Sequence, residues 1–295
     1  MRLTMSGEVF SHGFPLEKTI ALTKSYGIGN FELWAGNCPA IDADCHVRLY
    51  RGRDIAAAKR AFQDNGIHVA CVAFGGAFHQ EIVDDRALYS RELVRAVEVA
   101  AEMGAEYVNH YLTRVAPMGP PEYALLDAYL SDALRRAEQL HITMVLENEA
   151  VDVTHTPENM LEILRHFDSP YFKTNFDATN YYQGGNEAFP YAYEALRGRI
   201  GYVHIKNGCI WAAERGHDEQ WLGGPMTGCH QGRRIVYTPP TLGAVNIPGL
   251  LRRLQEDAYP GYFALEPHST VENVIRYYEA AIPLLKELGC FQPQS

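Results

Sequence analysis

None of the six cysteines, Cys38, Cys45, Cys71, Cys209, Cys229 and Cys290, forms a Cys-x-x-Cys pair. Six thiols in a chain this long exclude a disulfide framework and a two-cysteine redox motif. Cys71 lies inside an apolar run and reads as a small core residue. No stretch of about 18 apolar residues occurs, which excludes a hydrophobic membrane-spanning helix. Positive charge is in deficit: 26 Lys and Arg face 36 Asp and Glu, for a net charge of −10. That balance disfavours a nucleic acid or an anionic membrane surface as partner and is silent about a small neutral substrate. No G-x-G-x-x-G opens the first helix and no G-x-x-x-x-G-K-[ST] occurs, so dinucleotide and P-loop sites lose their main signal. The opening MRLTMSGEVFSHGF lacks a signal-peptide apolar run, and a cytoplasmic, reduced protein is expected.

What is present is a regular alternation. The chain is 47% hydrophobic and 21% charged, enough for a large core. Short apolar runs (LTMSGEVF, NFELWAG, IHVACVAFGG, EYVNHYL, ITMVLENEA, YFKTNFDATNYY, GYVHIKNG, YFALEPH) alternate with amphipathic segments. Asp54 and Gly66 bracket one predicted helix, and Thr156 with Pro157 caps another. Strands alternating with helices imply βαβ units and a parallel sheet. About eight such units fit a closed (β/α)8 TIM barrel better than a doubly wound sheet. The expectation is α/β, a single domain over 1–295, with a long irregular loop at 208–246 after strand seven.

Side chains alternate in and out along barrel strands, and active sites sit at the carboxyl ends. In TMVLE, Met144 and Leu146 share one face, and Val145 and Glu147 the other. In NFD, Phe176 faces out and Asp177 in. In YVHIK, Val203 and Ile205 face out, while His204 and Lys206 face in. In FALE, Phe263 and Leu265 face out and Glu266 in. Glu147, Asp177, His204 and Glu266 therefore meet at one mouth. Three carboxylates and an imidazole cannot converge in a low-dielectric site uncompensated, and a divalent cation would compensate them. The oxygen-rich set suits Mn²⁺ first, then Mg²⁺, Co²⁺ or Zn²⁺.

The stretches VLENEA, NFDATN, YVHIKNG and FALEPH, in that order, with FELW after the first helix, resemble the sugar-phosphate isomerase/epimerase superfamily. These are the xylose isomerase-like barrels, including ketose 3-epimerases, hydroxypyruvate isomerases and inosose dehydratases. The resemblance covers nearly the whole chain. It implies one divalent metal on Glu147, Asp177, His204 and Glu266, with Glu147 and Glu266 as an acid/base pair on opposite faces of a sugar or keto-sugar. One would take a proton from the carbon beside the carbonyl, the metal would hold the enediolate oxygens, and the other would return a proton. The outcome is epimerisation or aldose–ketose isomerisation. Asn180 stands where the family often has His, and Val153 and Ile210 stand where ketose 3-epimerases carry Glu and Arg. Asn207 replaces the Asp of the frequent HxKD. These departures point away from the free-ketose 3-epimerase subclass.

Further candidates for substrate contact are His110 at the end of strand four, Lys206, Trp34 as a stacking wall, and Asn180. His110 is taken to point inward with Val108. The loop 208–246, with Trp211, His217, Trp221, His230, Arg233 and Arg234, reads as a water-excluding lid or a subunit-interface arm. A homo-oligomer or a second subunit is a possible partner. The alternative activity is a lyase that expels a β-hydroxyl or aglycone from a keto-sugar, inosose or keto-glycoside, C-glycosides included. An apurinic-site endonuclease shares the barrel but needs more His and carboxylate ligands, and a non-catalytic binding barrel would have no use for the ligand set.

Overall fold

Strand-forming runs here are apolar on both faces, as strands covered by helices outside and side chains inside must be. A computed structural model of the chain describes residues 1–42, 48–212, 229–230 and 232–293. Its strands are β1 (Arg2–Ser6), β2 (Asn30–Trp34), β3 (His68–Phe74), β4 (Tyr107–His110), β5 (Thr143–Glu147), β6 (Phe172–Asp177), β7 (Ile200–Ile205), β8 (Asn207–Ile210), β9 (Cys229–His230), β10 (Arg233–Thr238) and β11 (Tyr262–Leu265). β1 to β7 and β11 close into an eight-stranded parallel barrel, in which β11 lies between β7 and β1. The (β/α)8 expectation is met. No described helix is long and apolar enough to cross a membrane.

Helix ends follow the local sequence. Asp54 Oδ1 accepts Ala57 N at 2.8 Å, and Gly66 adopts φ +69° just past that helix's end. Thr156 Oγ1 accepts Asn159 N at 3.2 Å, with Pro157 at the first helical position. Inside the barrel, Cys71, Val145, Tyr202, Tyr262 and Ala264 are fully buried in one cluster, with Tyr107 packed on it. The rings of Tyr107, Tyr202 and Tyr262 lie 5.7–6.4 Å apart and make a floor beneath the mouth.

The segment after β7 departs from the expectation of an irregular loop. β8, β10 and β9 form a three-stranded antiparallel sheet, with Ile235 opposite Ile210 and Thr238 opposite Asn207. All three strands are short; β8 and β10 lie more than 20 residues apart in sequence, while β9 and β10 are only two residues apart. Val236, Cys209 and Trp211 make a small core of their own.

Asn207 fastens this arm to the barrel. Its Nδ2 donates to Pro240 O (3.0 Å) and Val245 O (2.9 Å), and its Oδ1 accepts from Gly208 N (2.8 Å) and Val245 N (3.1 Å). A Cβ on Gly243 would stand 1.9 Å from Asn207 Oδ1, so only glycine fits there. Asn207→Asp keeps the shape but removes both donors beneath two carbonyls. It should lower unfolding stability by about 1–3 kcal/mol for each carbonyl left bare. Urea unfolding checks this, and a variant as stable as the parent would refute the fastening role.

Candidate active site and metal centre

Each site residue is placed by a strand end. Glu147 ends β5, Asp177 ends β6, His204 lies one residue before the end of β7, and Glu266 follows β11. All four are buried, and one ligand atom from each falls within 4.8 Å of the others. Asp177 is fixed through its own peptide: Asn148 Oδ1 accepts Asp177 N, and Asn148 Nδ2 donates to Asp177 O, both at 2.9 Å. Asp177 Oδ1 caps the following helix by accepting Asn180 N at 2.8 Å, which leaves Oδ2 facing the centre.

The imidazole of His204 is held at Nε2 and faces two carboxylates at Nδ1. Nε2 lies 2.8 Å from Glu32 Oε2, while Glu32 Oε1 accepts from Ser6 Oγ (3.0 Å) and Trp34 Nε1 (3.2 Å). Nδ1 faces Glu147 Oε2 at 3.1 Å and Glu266 Oε1 at 3.0 Å. Glu147 is surrounded by amides: Oε2 accepts from Asn109 Nδ2 (2.8 Å) and Asn175 Nδ2 (3.0 Å), and Oε1 from Asn180 Nδ2 (3.3 Å). Glu266 instead meets a charge, with Lys206 Nζ 2.6 Å from its Oε2 and 2.5 Å from Asp177 Oδ2.

These surroundings split the two carboxyls. Burial, reinforced by the nearby Glu266 charge, pushes the Glu147 carboxyl up to about 7 against the pull of His204. Burial would also raise Glu266, but the His204 and Lys206 charges together hold it well below the usual carboxylate range. Burial would strip the proton from His204, yet Glu147, Glu266 and Glu32 raise it well above an ordinary histidine. Among the described residues, the four buried carboxylates of Glu32, Glu147, Asp177 and Glu266 thus share this centre with His204 and one obligate cation, Lys206, which pairs with Asp177 and Glu266. His204 Nδ1 and Asp177 Oδ2 are buried without a hydrogen bond of sound geometry. Three carboxylate oxygens and one imidazole nitrogen, with the other nitrogen tied to a carboxylate, suit a divalent cation.

Trp34 and Lys206, expected to face the mouth, do line the cavity there. Asn180 is inward but acts on Glu147 and on Asn148 O (3.0 Å), and it is not among the residues lining the cavity. His110 needs a correction. Val108 packs with the helix-facing core, so its partner in parity, His110, points outward too, with its ring 5.7 Å from Phe172. The inward residue of β4 is Asn109. His268 stands 3.4 Å from Glu266 and 3.6 Å from Glu8. Of the loop residues singled out, His217 and Trp221 lie outside the described residues. Arg234 lies over the Trp211 ring (5.9 Å to its centroid), and His230 stacks on Tyr182 at 4.3 Å.

Sequence reasoning gave no role to Asn109, Tyr111 or Glu32. Asn109 Nδ2 donates to Tyr111 Oη (2.7 Å) as well as to Glu147. With Asn109 Nδ2 as the donor of both bonds, the Tyr111 oxygen is an acceptor. Among the described residues nothing takes the Tyr111 hydroxyl proton, and the ring borders the cavity. That cavity, of ≈ 550 Å³, opens above Glu147, Glu266 and Lys206.

The family described as xylose isomerase-like TIM barrel matches residues 20–288. The probable 3-DHS dehydratase AsbF of Bacillus anthracis is similar, with TM-score 0.66, 16% identity, and coverage of 97% of this chain and 99% of that one. So is the apo form of 3-keto-D-glucoside 4-epimerase YcjR of E. coli, with TM-score 0.63, 16% identity, and 99% and 100% covered. IolI with a bound zinc atom has TM-score 0.62 and 15% identity over 98% and 96%. No curated protein sequence matches the chain.

Two measurements check this geometry. Glu32→Gln should weaken divalent metal binding about 10- to 100-fold by equilibrium dialysis, because it loosens the imidazole without touching a ligand. Unchanged affinity would show that Glu32 does not orient His204. Separately, burial holds the His110 pKa down from 6.5 to about 3. Between those values the unfolded chain binds a proton that the folded chain refuses, so this stability is whole above pH 6.5 and drains as pH falls. His110→Phe should make the pH dependence of unfolding shallower there by up to about 1.4 kcal/mol per pH unit. Identical slopes would mean that His110 reaches solvent.

Proposed function

Because the chain belongs to the xylose isomerase-like TIM-barrel family, we propose that it is an enzyme that isomerises or epimerises a sugar or keto-sugar by moving a proton beside the carbonyl, with Glu147 and Glu266 as the acid/base pair. The observation that carries this reading is the convergence of Glu147 Oε2 and Glu266 Oε1 on one imidazole nitrogen, at 3.1 and 3.0 Å, at the bottom of the cavity. Glu147, Asp177, His204 and Glu266 would hold one divalent cation, Mn²⁺ before Zn²⁺. When bound, it supplies Lewis-acid polarisation of the carbonyl and positive charge beside the oxyanion that deprotonation creates.

The protein's own groups divide the remaining work. Lys206 fixes Glu266 in one orientation and keeps it ionised, so that its oxygen is free to accept the proton. Glu147, held by the amides of Asn109, Asn175 and Asn180, is placed to give a proton back. Tyr111 offers its hydroxyl to a substrate oxygen, and Trp34 walls the cavity. The substrate is a small molecule; the charge of −10 gives a polyanion no footing.

Elimination is the second reading. It is favoured by His268, whose Nε2 lies 3.4 Å from Glu266 Oε2 and can protonate a group leaving from the next carbon. Of the similar structures described above, YcjR is an epimerase and AsbF a probable dehydratase. Product mass separates the readings: an isomer for the first, loss of water or an aglycone for the second.

Glu266→Gln in the Mn²⁺-loaded protein should slow exchange of the substrate C–H proton with heavy water by about 10²- to 10⁴-fold, read by NMR. Exchange at the parent rate would remove Glu266 from the acid/base pair.

A further inference from the structure

The cavity is larger than the chemistry at its base requires. A ketohexose has about a dozen heavy atoms and, at the close packing of organic solids, occupies roughly 180 Å³. The cavity measures ≈ 550 Å³, and sites of this size ordinarily enclose a ligand of two or more rings. Glu147, Glu266 and Lys206 lie at its base, and Ser11, Arg53 and His79 are among the polar groups that line it elsewhere. One wall is a run of aromatic rings leading outward. Trp34 begins it, tied to the base through its bond to Glu32. Tyr111 lies next, 5.9 Å from Trp34 between ring centroids, and Phe78 follows at 4.7 Å. Phe78 is 37% exposed, so the run ends at solvent.

The backbone makes room for this wall. A Cβ on Gly75 would stand 3.0 Å from Trp34 Cζ3, closer than side chains ordinarily approach, and Gly75 also lines the cavity. One sugar ring seated over the carboxylates would cover Trp34 and the hydroxyl end of Tyr111 and leave Phe78 bare. An aromatic ring so exposed gains from covering by another flat, apolar group.

Resting on the acid/base reading above, we infer that the substrate is a keto-sugar glycoside with an aromatic aglycone: the sugar sits over Glu147 and Glu266, and the aglycone lies along Tyr111 and Phe78. The wall sets specificity, and the carboxylates set chemistry.

The test is calorimetric binding of phenyl and methyl 3-keto-β-D-glucopyranoside to the Mn²⁺-loaded full chain. The phenyl glycoside should bind at least tenfold tighter. Phe78→Ala, at a half-exposed position that the core does not need, should bring the two to within about threefold while methyl glycoside affinity stays unchanged. Trp34→Phe, which keeps a ring, should preserve the preference. Equal affinities in the parent, no binding of the phenyl glycoside at millimolar concentration, or a preference that survives Phe78→Ala overturns the inference. Proton exchange into dihydroxyacetone, which has no aglycone, is followed in parallel. Exchange without a phenyl preference sinks the aglycone site alone; a phenyl preference without exchange sinks the acid/base reading alone.

Discussion

The bond between His204 Nε2 and Glu32 joins residues 172 positions apart and crosses the barrel mouth from β7 to β2, past β11 and β1. It decides which imidazole nitrogen faces the carboxylates. Glu32 can hold it because Ser6 from β1 and Trp34 from β2 occupy its other oxygen. Three strands thus agree on one ring orientation, and the oxygens of Glu147, Asp177 and Glu266 converge on the nitrogen so presented. Loosen that bond and the carboxylates face one another with only Lys206 between them, at full desolvation cost. Barrel closure is what makes the bond possible, since no local segment brings β2 and β7 together.

Asparagine is the material from which the rest of the site is built. Asn109, Asn175 and Asn180 surround Glu147, Asn148 clamps the peptide of Asp177, and Asn207 ties down the arm that leaves β7. Each is neutral and offers two donors and an acceptor, so it orders a carboxylate or a carbonyl without adding charge to a crowded centre. Asn180 and Asn207 stand where the family resemblance predicts His and Asp. In this chain both have become fasteners.

The four converging residues were legible because at β5, β6, β7 and β11 the polar residue follows directly on an apolar one, Leu146, Phe176, Val203 or Leu265, whereas in β4 His110 follows another polar residue, Asn109. Met144, Phe176, Val203 and Leu265 all belong to the helix-facing core, so parity placed Glu147, Asp177, His204 and Glu266 inward. The same reasoning failed at β4. YVNH has an apolar residue on each face, Tyr107 in the barrel floor and Val108 outside, and alternation alone does not say which is which. His110 went to the wrong side with Val108, and Asn109 was overlooked. The polar support was hidden for a different reason: a buried Asn or Glu has no periodic signature, and its partners lie on other strands. The antiparallel arm escaped because its strands are short and its main pairing, β8 with β10, is long-range.

The tyrosine floor has a consequence for traffic. Tyr107, Tyr202 and Tyr262 fill the barrel below His204, with Tyr202 5.8 Å from the imidazole, and Val145, Cys71 and Ala264 close the gaps at zero exposure. Among the described residues no passage leads through this packed floor, so whatever enters by the mouth must leave by the mouth. Arrival and departure share one doorway, and a molecule on its way out blocks the next one in. Accumulated product would therefore compete directly with fresh substrate, a brake on turnover set by the packing of three rings well away from the reacting carbon.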